Sequence, residues 1–413
     1  MKLDERRETK DERLCHPEQS EGSKIILSEV CEFIVDCPHS TANDEGVGYP
    51  LVRTPNVGKG RLVYNDMHRV SEDVYNQRNF RAVPQEDDLI FAREAPAGNV
   101  ALIRKGEKVC LGQRTVLLRP NKQKVDPSFL TYYLLAPKQQ YGLTGTANGA
   151  TVAHVNMPTI RNLAIELPDI KVQRKLGGIL SAYDNLIENN QKQIKLLEEA
   201  AQRLYKQWFI DLRYPGHETT PIVDGLPKGW SVKTVDDIAE YINGYAFKPS
   251  DWQTKGYPII KIKEMNEGVT ADTPRNSGET IPPKYVIGSG DIVFSWSATL
   301  AAIIWDGETG LLNQHLFKVI PHKDFSREFV LQTIKNTLEE FQNLTTGSTM
   351  KHIQRGKLKE VKVNTPTSNI MKEFEKITEP IRNQILNKKK QILDLIQSRD
   401  RLLPKLMNGE LEV

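Results

Sequence analysis

Residues 183–208 read YDNLIENNQKQIKLLEEAAQRLYKQW. One line of side chains runs through them: Tyr183, Ile187, Asn190, Ile194, Leu197, Ala201, Leu204 and Trp208. The steps alternate between four and three, which is the seam of a helix that packs along another helix. Adding 198 to each number gives Ile381, Ile385, Lys388, Ile392, Leu395, Arg399, Leu402 and Leu406, so the seam recurs near the C-terminus. The polar seam positions Asn190 and Lys388 read as register devices, since polar seam residues cost stability and fix alignment. Two seams at a fixed offset mark a duplication. Two copies of one unit tend to pack with pseudo-twofold symmetry, which would pair the two helices as an antiparallel coiled coil.

The chain has 413 residues, more than one core normally carries, and predicts two or three domains. Its 56 basic and 53 acidic residues leave a net charge of +3, so any nucleic-acid surface must come from local segregation of charge. No run of about 20 apolar residues exists, so no membrane span is expected. The first fifteen residues, MKLDERRETKDERLC, lack the apolar stretch of a secretory signal. These features predict a cytoplasmic protein in which Cys15, Cys31, Cys37 and Cys110 stay reduced.

Taken in order, residues 1–24 form a polar, flexible leader, and residues 25–168 form a first mixed α/β domain of short apolar runs separated by Gly, Pro and Asn. A long helix occupies 169–215, with Asp169 as its N-cap, and Pro215-Gly216 stops it. A linker over 216–229 leads to a second mixed domain, 230–366, and a second long helix fills 367–413. Within that helix Pro380 predicts a break and Pro404 a kink or an end. The repeat holds outside the helices. Gly48-Tyr49-Pro50 recurs as Gly256-Tyr257-Pro258, and Asp88-Leu89-Ile90-Phe91 as Asp291-Ile292-Val293-Phe294. Gln113 and Pro120 recur as Gln314 and Pro321, and Gly149-Ala150-Thr151 with His154 as Gly347-Ser348-Thr349 with His352. The offsets shrink from 208 through 203 and 201 to 198, as loop deletions in the second copy would make them. The fold class is α+β: two mixed domains in tandem, each followed by a long helix.

Catalytic signatures do not survive inspection. Ile281-Pro282-Pro283-Lys284-Tyr285 has the wrong first residue and an inserted lysine for an amino-methyltransferase loop. Gly58-Lys59-Gly60 lacks the spacing of a cofactor loop, and no GxxxxGK[ST] sequence exists. Cys31, Cys37 and His39 are irregularly spaced for zinc and lack a clear fourth ligand. His154 and His352 have no matched nucleophile. DNA binding needs cations for phosphates and Arg, Asn, Gln, Ser or Thr for base edges. In the first domain that content sits at Lys59 and Arg61, at Arg93, at Gln113 and Arg114, and at Asn148, Thr151 and His154. In the second it sits at Lys261 and Lys263, at Trp296, at Gln314 and His315, and at Ser348, Thr349, Lys351, His352 and Arg355. Solvated surface is the default for any one of them. Corresponding positions with different identities are what two readers of different sequences would show.

With these residues in hand, the chain resembles the specificity subunit of type I DNA restriction–modification enzymes over about Ile25 to Glu410. The resemblance rests on Leu226-Pro227-Lys228-Gly229-Trp230, Gly290-Asp291-Ile292-Val293-Phe294, Gly347-Ser348-Thr349 and Leu204-Tyr205-Lys206-Gln207-Trp208-Phe209-Ile210-Asp211, on top of the duplicated layout. The Leu-Pro-x-Gly-Trp opening has no counterpart before Ile25. The resemblance implies a non-catalytic subunit whose two target-recognition domains read the halves of a bipartite site in double-stranded DNA, with the helices fixing the unread spacer. It also implies a scaffold for two methyltransferase subunits and two restriction subunits. S-adenosylmethionine, ATP and Mg would bind those partners, and no cofactor or metal this chain. Trp208, Phe209 and Ile210 exceed what one seam can bury, which assigns them to the methyltransferase partner. Two other readings stand beside this one: the specificity subunit of a two-subunit enzyme that cuts outside its site, and a coiled-coil adaptor with no DNA role.

Overall fold

The computed structural model describes residues 24–145, 154–297, 299–343 and 355–413. They fall into two compact units, one drawn from residues 24–185 with 397–413 and the other from 186–396. Residues 1–23 of the expected leader, Asn148, Thr151, Ser348, Thr349, Lys351 and His352 lie outside the described residues, while Lys24, expected in the leader, opens a strand.

In the first unit, β1 (Cys31–Asp36), β2 (Leu89–Ala92), β3 (Val100–Leu102) and β4 (Thr115–Pro120) form an antiparallel sheet in the order β1-β4-β2-β3. The central strands are apolar and buried on both faces: Leu89, Ile90 and Phe91 pair with Leu118, Leu117 and Val116. Helix α1 (Pro127–Leu135) follows, started by Asp126, whose side chain accepts from Phe129 N–H at 2.9 Å, with Pro127 in the first turn. A smaller sheet joins Arg69–Val70, Tyr49–Val52 and Cys110–Leu111, with the last pair parallel. Strand Lys24–Ile26 pairs with Ala164–Glu166 and closes the domain just before the first long helix, α2 (Ile170–Tyr205).

The second unit repeats this plan. Strands β5 (Ala239–Asn243), β6 (Ile292–Ser295), β7 (Ala301–Ile304) and β8 (Leu316–Pro321) run in the order β5-β8-β6-β7, again antiparallel, followed by α3 (Arg327–Asn336) capped by Ser326. Its smaller sheet keeps the antiparallel and the parallel pair and adds Val286–Ile287. Strand Ser231–Thr234 pairs with Lys362–Thr365 before the second long helix, α4 (Ser368–Met407). Lys24–Ile26 therefore does the work of Ser231–Thr234 without the Leu-Pro-x-Gly-Trp signature.

At 36 and 40 residues, α2 and α4 are about 54 and 60 Å long. Asp169 Oδ1 accepts from Lys171 N–H at 2.8 Å and so caps α2. Along α2, Ile187, Asn190, Ile194 and Ala201 are buried, as is Trp208 just beyond it, and Tyr183, Leu197 and Leu204 are half-buried; on α4, Ile385, Lys388, Ile392, Leu395 and Leu402 are half-buried. Within each unit the helices run antiparallel. In the first, Asp184 meets Arg399, and Leu176 and Leu180 share a core with Leu406. In the second, Asn190 donates to Gln391 at 3.3 Å and Trp208 packs on Phe374.

Three expectations for the helices are corrected. Helix α4 passes through Pro380 without a break and ends at Met407, three residues beyond Pro404. Pro380 is exposed, so the carbonyl that loses its donor faces water, while Phe374 and Thr378 stay buried beside it. Second, α2 closes on a π-turn, Lys206–Ile210, in which Asp211 N–H reaches the Lys206 carbonyl at 2.9 Å. Third, that wider turn buries two consecutive aromatics, Trp208 at 3% and Phe209 at 1% exposure. Phe209 sits edge-on to Phe329 and Phe374, 4.9 and 4.8 Å between centroids. Trp208 and Phe209 are thus spent on the chain's own core, and only Ile210 of that trio remains exposed.

The two units join helix to domain differently. In the first, Asp184 is 1% exposed and accepts from Tyr132 Oη and Arg399 Nη1, both at 2.6 Å, with Arg61 Nε at 3.6 Å. Burial opposes the charge on Arg399, but Asp184 more than offsets this and raises its pKa. Neighbouring Asn185 accepts from Arg61 and Arg104. Gly60 takes φ +89° against this hub, where a Cβ would lie 2.7 Å from Asp184 Oδ2. In the second unit, 198 residues on from Asp184, Arg382 is 9% exposed and bonds Glu375 at 3.1 Å. Arg382 Nη1, Gln332 Oε1 and Glu375 Oε2 find no partner among the described residues. A cavity of about 50 Å³ lies there, between Glu328, Gln332 and Arg382. Burial raises the Glu328 pKa, against its hydrogen bond from Gln332.

Candidate nucleic-acid interface

Antiparallel pairing brings three chain positions to one end of each four-stranded sheet. In the first domain Asp36 lies opposite Val116 and Ala92 opposite Thr115, so the residues after β1, after β2 and before β4 converge. In the second, Asn243 lies opposite Phe317 and Ser295 opposite Leu316, which gathers the equivalent three. Arg93 thereby corresponds to Trp296, Glu94 to Ser297, Gln113 to Gln314 and Arg114 to His315.

The first-domain cluster is ionic and internally paired. Arg93 is 8% exposed; its Nε donates to Val155 O at 2.9 Å and its Nη1 to Asp36 Oδ2 at 2.9 Å. Its Nη2 lies 2.9 Å from His154 Nε2, and His154 Nδ1 lies 3.1 Å from Glu94 Oε2. A guanidinium can only donate, so Nε2 must accept, and Nδ1 carries the proton given to Glu94. Glu94 also meets Arg114 at 3.2 Å; Arg114, at φ +65°, is 44% exposed along its side chain and is the cation this cluster offers to solvent. Gln113 accepts from Thr41 at 3.0 Å.

The second-domain cluster replaces these ions with rings and amides. Trp296 Nε1 donates to Asn243 Oδ1 at 3.1 Å, and its ring lies 5.8 Å from that of His315. His315 Nδ1 is 3.3 Å from Ser297 Oγ, and Gln314 Nε2 is 3.4 Å from His315 Nε2. The same end of the same sheet thus carries a charged lattice in one copy and a neutral one in the other.

Other sequence candidates fall elsewhere. Gly60 bridges to Ala101 on the edge strand β3, which places Lys59 and Arg61 there, with Arg61 held against α2 and Lys59 exposed. Lys261 stands over the Trp252 ring at 4.3 Å beside the smaller sheet; Lys263 and Arg355 are exposed. Arg93 is locked as the keystone of its cluster rather than presented to solvent. The sequence reading missed Asp36 and Asn243; each ends an apolar strand, 207 residues apart, so aligning the first strands of the copies would have found them. Among the described residues no group of three or more His, Cys, Asp or Glu is placed to hold a metal, and no helix is long and apolar enough to cross a membrane.

Comparison with known proteins matches this duplicated architecture. The profile of the type I restriction modification DNA specificity domain matches residues 21–199 and again 227–397. The chain is 26% identical over 368 residues to the type I restriction enzyme MjaIX specificity subunit of Methanocaldococcus jannaschii, covering 83% of this chain and 82% of that one. It is 22% identical over 399 residues to the HindI specificity subunit of Haemophilus influenzae, covering 79% and 87%. In fold it is similar to the crystal structure of the S subunit of a type-I restriction-modification system from M. genitalium, with a TM-score of 0.53 at 14% identity over 93% of this chain and 95% of that one.

Proposed function

The chain belongs to the family of type I restriction–modification DNA specificity subunits, and we propose that within it each recognition domain reads one half of a bipartite double-stranded DNA site. The helices α2 and α4 set the length of the unread spacer. The chain itself is non-catalytic and gathers two methyltransferase and two restriction subunits. S-adenosylmethionine, ATP and Mg act on those subunits.

One observation carries this reading: identical sheet topology presents two clusters at the same place with different chemistry, Arg114 and its ion lattice in one copy, Trp296, Gln314 and His315 in the other. A duplicated scaffold with diverged tips is what two readers of different half-sites require. The exposed cation Arg114 and the amide of Gln314 suit phosphates and base edges. The test is exchange of residues 25–168 for the first domain of another family member, followed by sequencing of methylated genomic sites in a host with the intact system. One half-site should change and the other stay. Binding should also weaken steeply with salt as counterions are released. Absence of sequence-specific DNA binding with the methyltransferase partner present would overturn the reading.

A further inference from the structure

Beyond the Trp296–His315 cluster, the second domain carries three rings that its core does not use. Tyr245 lies edge-on to Phe247, 4.9 Å between centroids, and to Tyr285, 5.5 Å. None of the three belongs to either hydrophobic cluster of that unit. Each is half-buried. The backbone holds the group in place: Tyr245 N–H donates to Leu312 O at 2.8 Å, and its carbonyl accepts from Gln314 N–H at 2.9 Å. The rings are therefore continuous with the Gln314–His315 end of the sheet. Two lysines flank them. Lys284 Nζ stands 5.0 Å from the centre of the Tyr285 ring, and exposed Lys248 follows Phe247 directly.

The first domain lacks the Tyr245–Phe247 pair at the matching place. The 207-residue offset that relates Asp36 to Asn243 sets Pro38, His39 and Ser40 against Tyr245, Ala246 and Phe247. The scaffold does not need rings here, because the same topology closes without them. Rings outside the core, bordered by cations and joined to a polar strip, fit a ligand with apolar faces and a phosphate backbone. Such rings pack on thymine methyls or on a base face opened from the stack.

We propose that Tyr245, Phe247 and Tyr285 form an aromatic wall that reads at least one base pair of the second half-site, with Lys248 and Lys284 on the adjoining phosphates. This rests on the DNA-recognition reading above and deepens it. The test uses the chain in complex with its methyltransferase subunits, after the native half-sites have been mapped by sequencing methylated sites. Tyr245→Ala, Phe247→Ala and Tyr285→Ala should each relax one or two base pairs of the second half-site, with roughly ten-fold weaker discrimination there and the first half-site unchanged. Because truncation can loosen the loop, Tyr245→Leu and Tyr285→Leu are measured beside them. They keep apolar bulk but lose the ring face, and should relax the same base pairs. Deoxyuridine in place of thymine should weaken native binding but not variant binding if the rings pack on methyl groups. A 2-aminopurine probe should brighten if they hold an unstacked base. An unchanged second half-site in the leucine variants, with DNA still bound, overturns the aromatic wall and leaves the DNA-recognition reading standing. No sequence-specific binding by the native complex overturns both.

Discussion

Where helix meets domain, the first unit buries a fully partnered carboxylate and the second an arginine with unmet donors. Asp184 receives Tyr132, Arg399 and Arg61. Arg382 at the equivalent place has one carboxylate oxygen for a partner, and its own Nη1 and two neighbouring oxygens, Gln332 Oε1 and Glu375 Oε2, find no hydrogen-bond partner among the described residues. The second unit is held instead by aromatic packing of Phe209, Trp208, Phe329 and Phe374. One scaffold thus solved the same joint twice, by charge and by rings. The lesson is energetic. A buried ion hub adds little net stability over an apolar joint, yet it is costly to break, since the survivor of a broken pair is a buried, uncompensated charge. A ring-packed joint can tolerate imperfect polar satisfaction nearby because the rings supply the stability.

This contrast can be broken most forcefully at Asp184. Asp184→Ala leaves Arg399 Nη1 and the Tyr132 hydroxyl without their acceptor, while Asp400 still holds Arg399 Nε and Nη2; two orphaned buried donors should cost about 2–5 kcal/mol in urea-induced unfolding. Asp184→Asn, which keeps one acceptor oxygen, should cost less; equal losses would show that shape rather than charge holds the joint. Gly60→Ala comes next. It combines a left-handed backbone with a Cβ 2.7 Å from Asp184 Oδ2, and should cost about 1–3 kcal/mol by the same measurement. Asn190→Leu takes a polar side chain out of the seam, and its partner Gln391 is exposed and can turn to water. The variant should gain roughly 1 kcal/mol in thermal melting, at some cost in register. The mildest effect is expected at Glu328, whose pKa burial raises in the folded state. The folded chain then holds a proton the unfolded chain has released, so this group lowers stability as pH climbs from the ordinary carboxylate range through the raised value. Glu328→Gln should flatten that slope in melting temperatures taken between pH 4 and pH 8, with its benefit confined to the upper end. An unchanged slope would refute the assignment.

Much of the fold was legible because its signals are periodic. The seam and the 198-residue offset survive divergence, since burial constrains residue type more than identity. The joints were not legible. Asp184 stands next to seam residue Tyr183 and reads as solvent-facing, while its partners come from positions 61, 132 and 399. Phe209 lies off the heptad line, and only the π-turn swings it into the core beside Trp208. At the sheet ends, sequence found Arg93, Arg114, Gln314 and His315 by composition and position. It could not tell that Arg93 is locked and Arg114 presented, because that depends on Asp36 and Val155 across the sheet end.

The hub at Asp184 also has a bearing on synthesis. Its cationic partner Arg399 is 215 residues downstream, and residues 397–413 belong to the first unit. At about 5–20 residues per second, roughly 10–40 s separate the emergence of the two from the ribosome. Through that interval Asp184 has Tyr132 and Arg61 but not Arg399, and the core around Leu176 and Leu180 lacks Leu406, while the second domain is being made. The chain must therefore protect a half-closed first domain, and a ribosome stall within the second domain would prolong its exposure to chaperones and proteases.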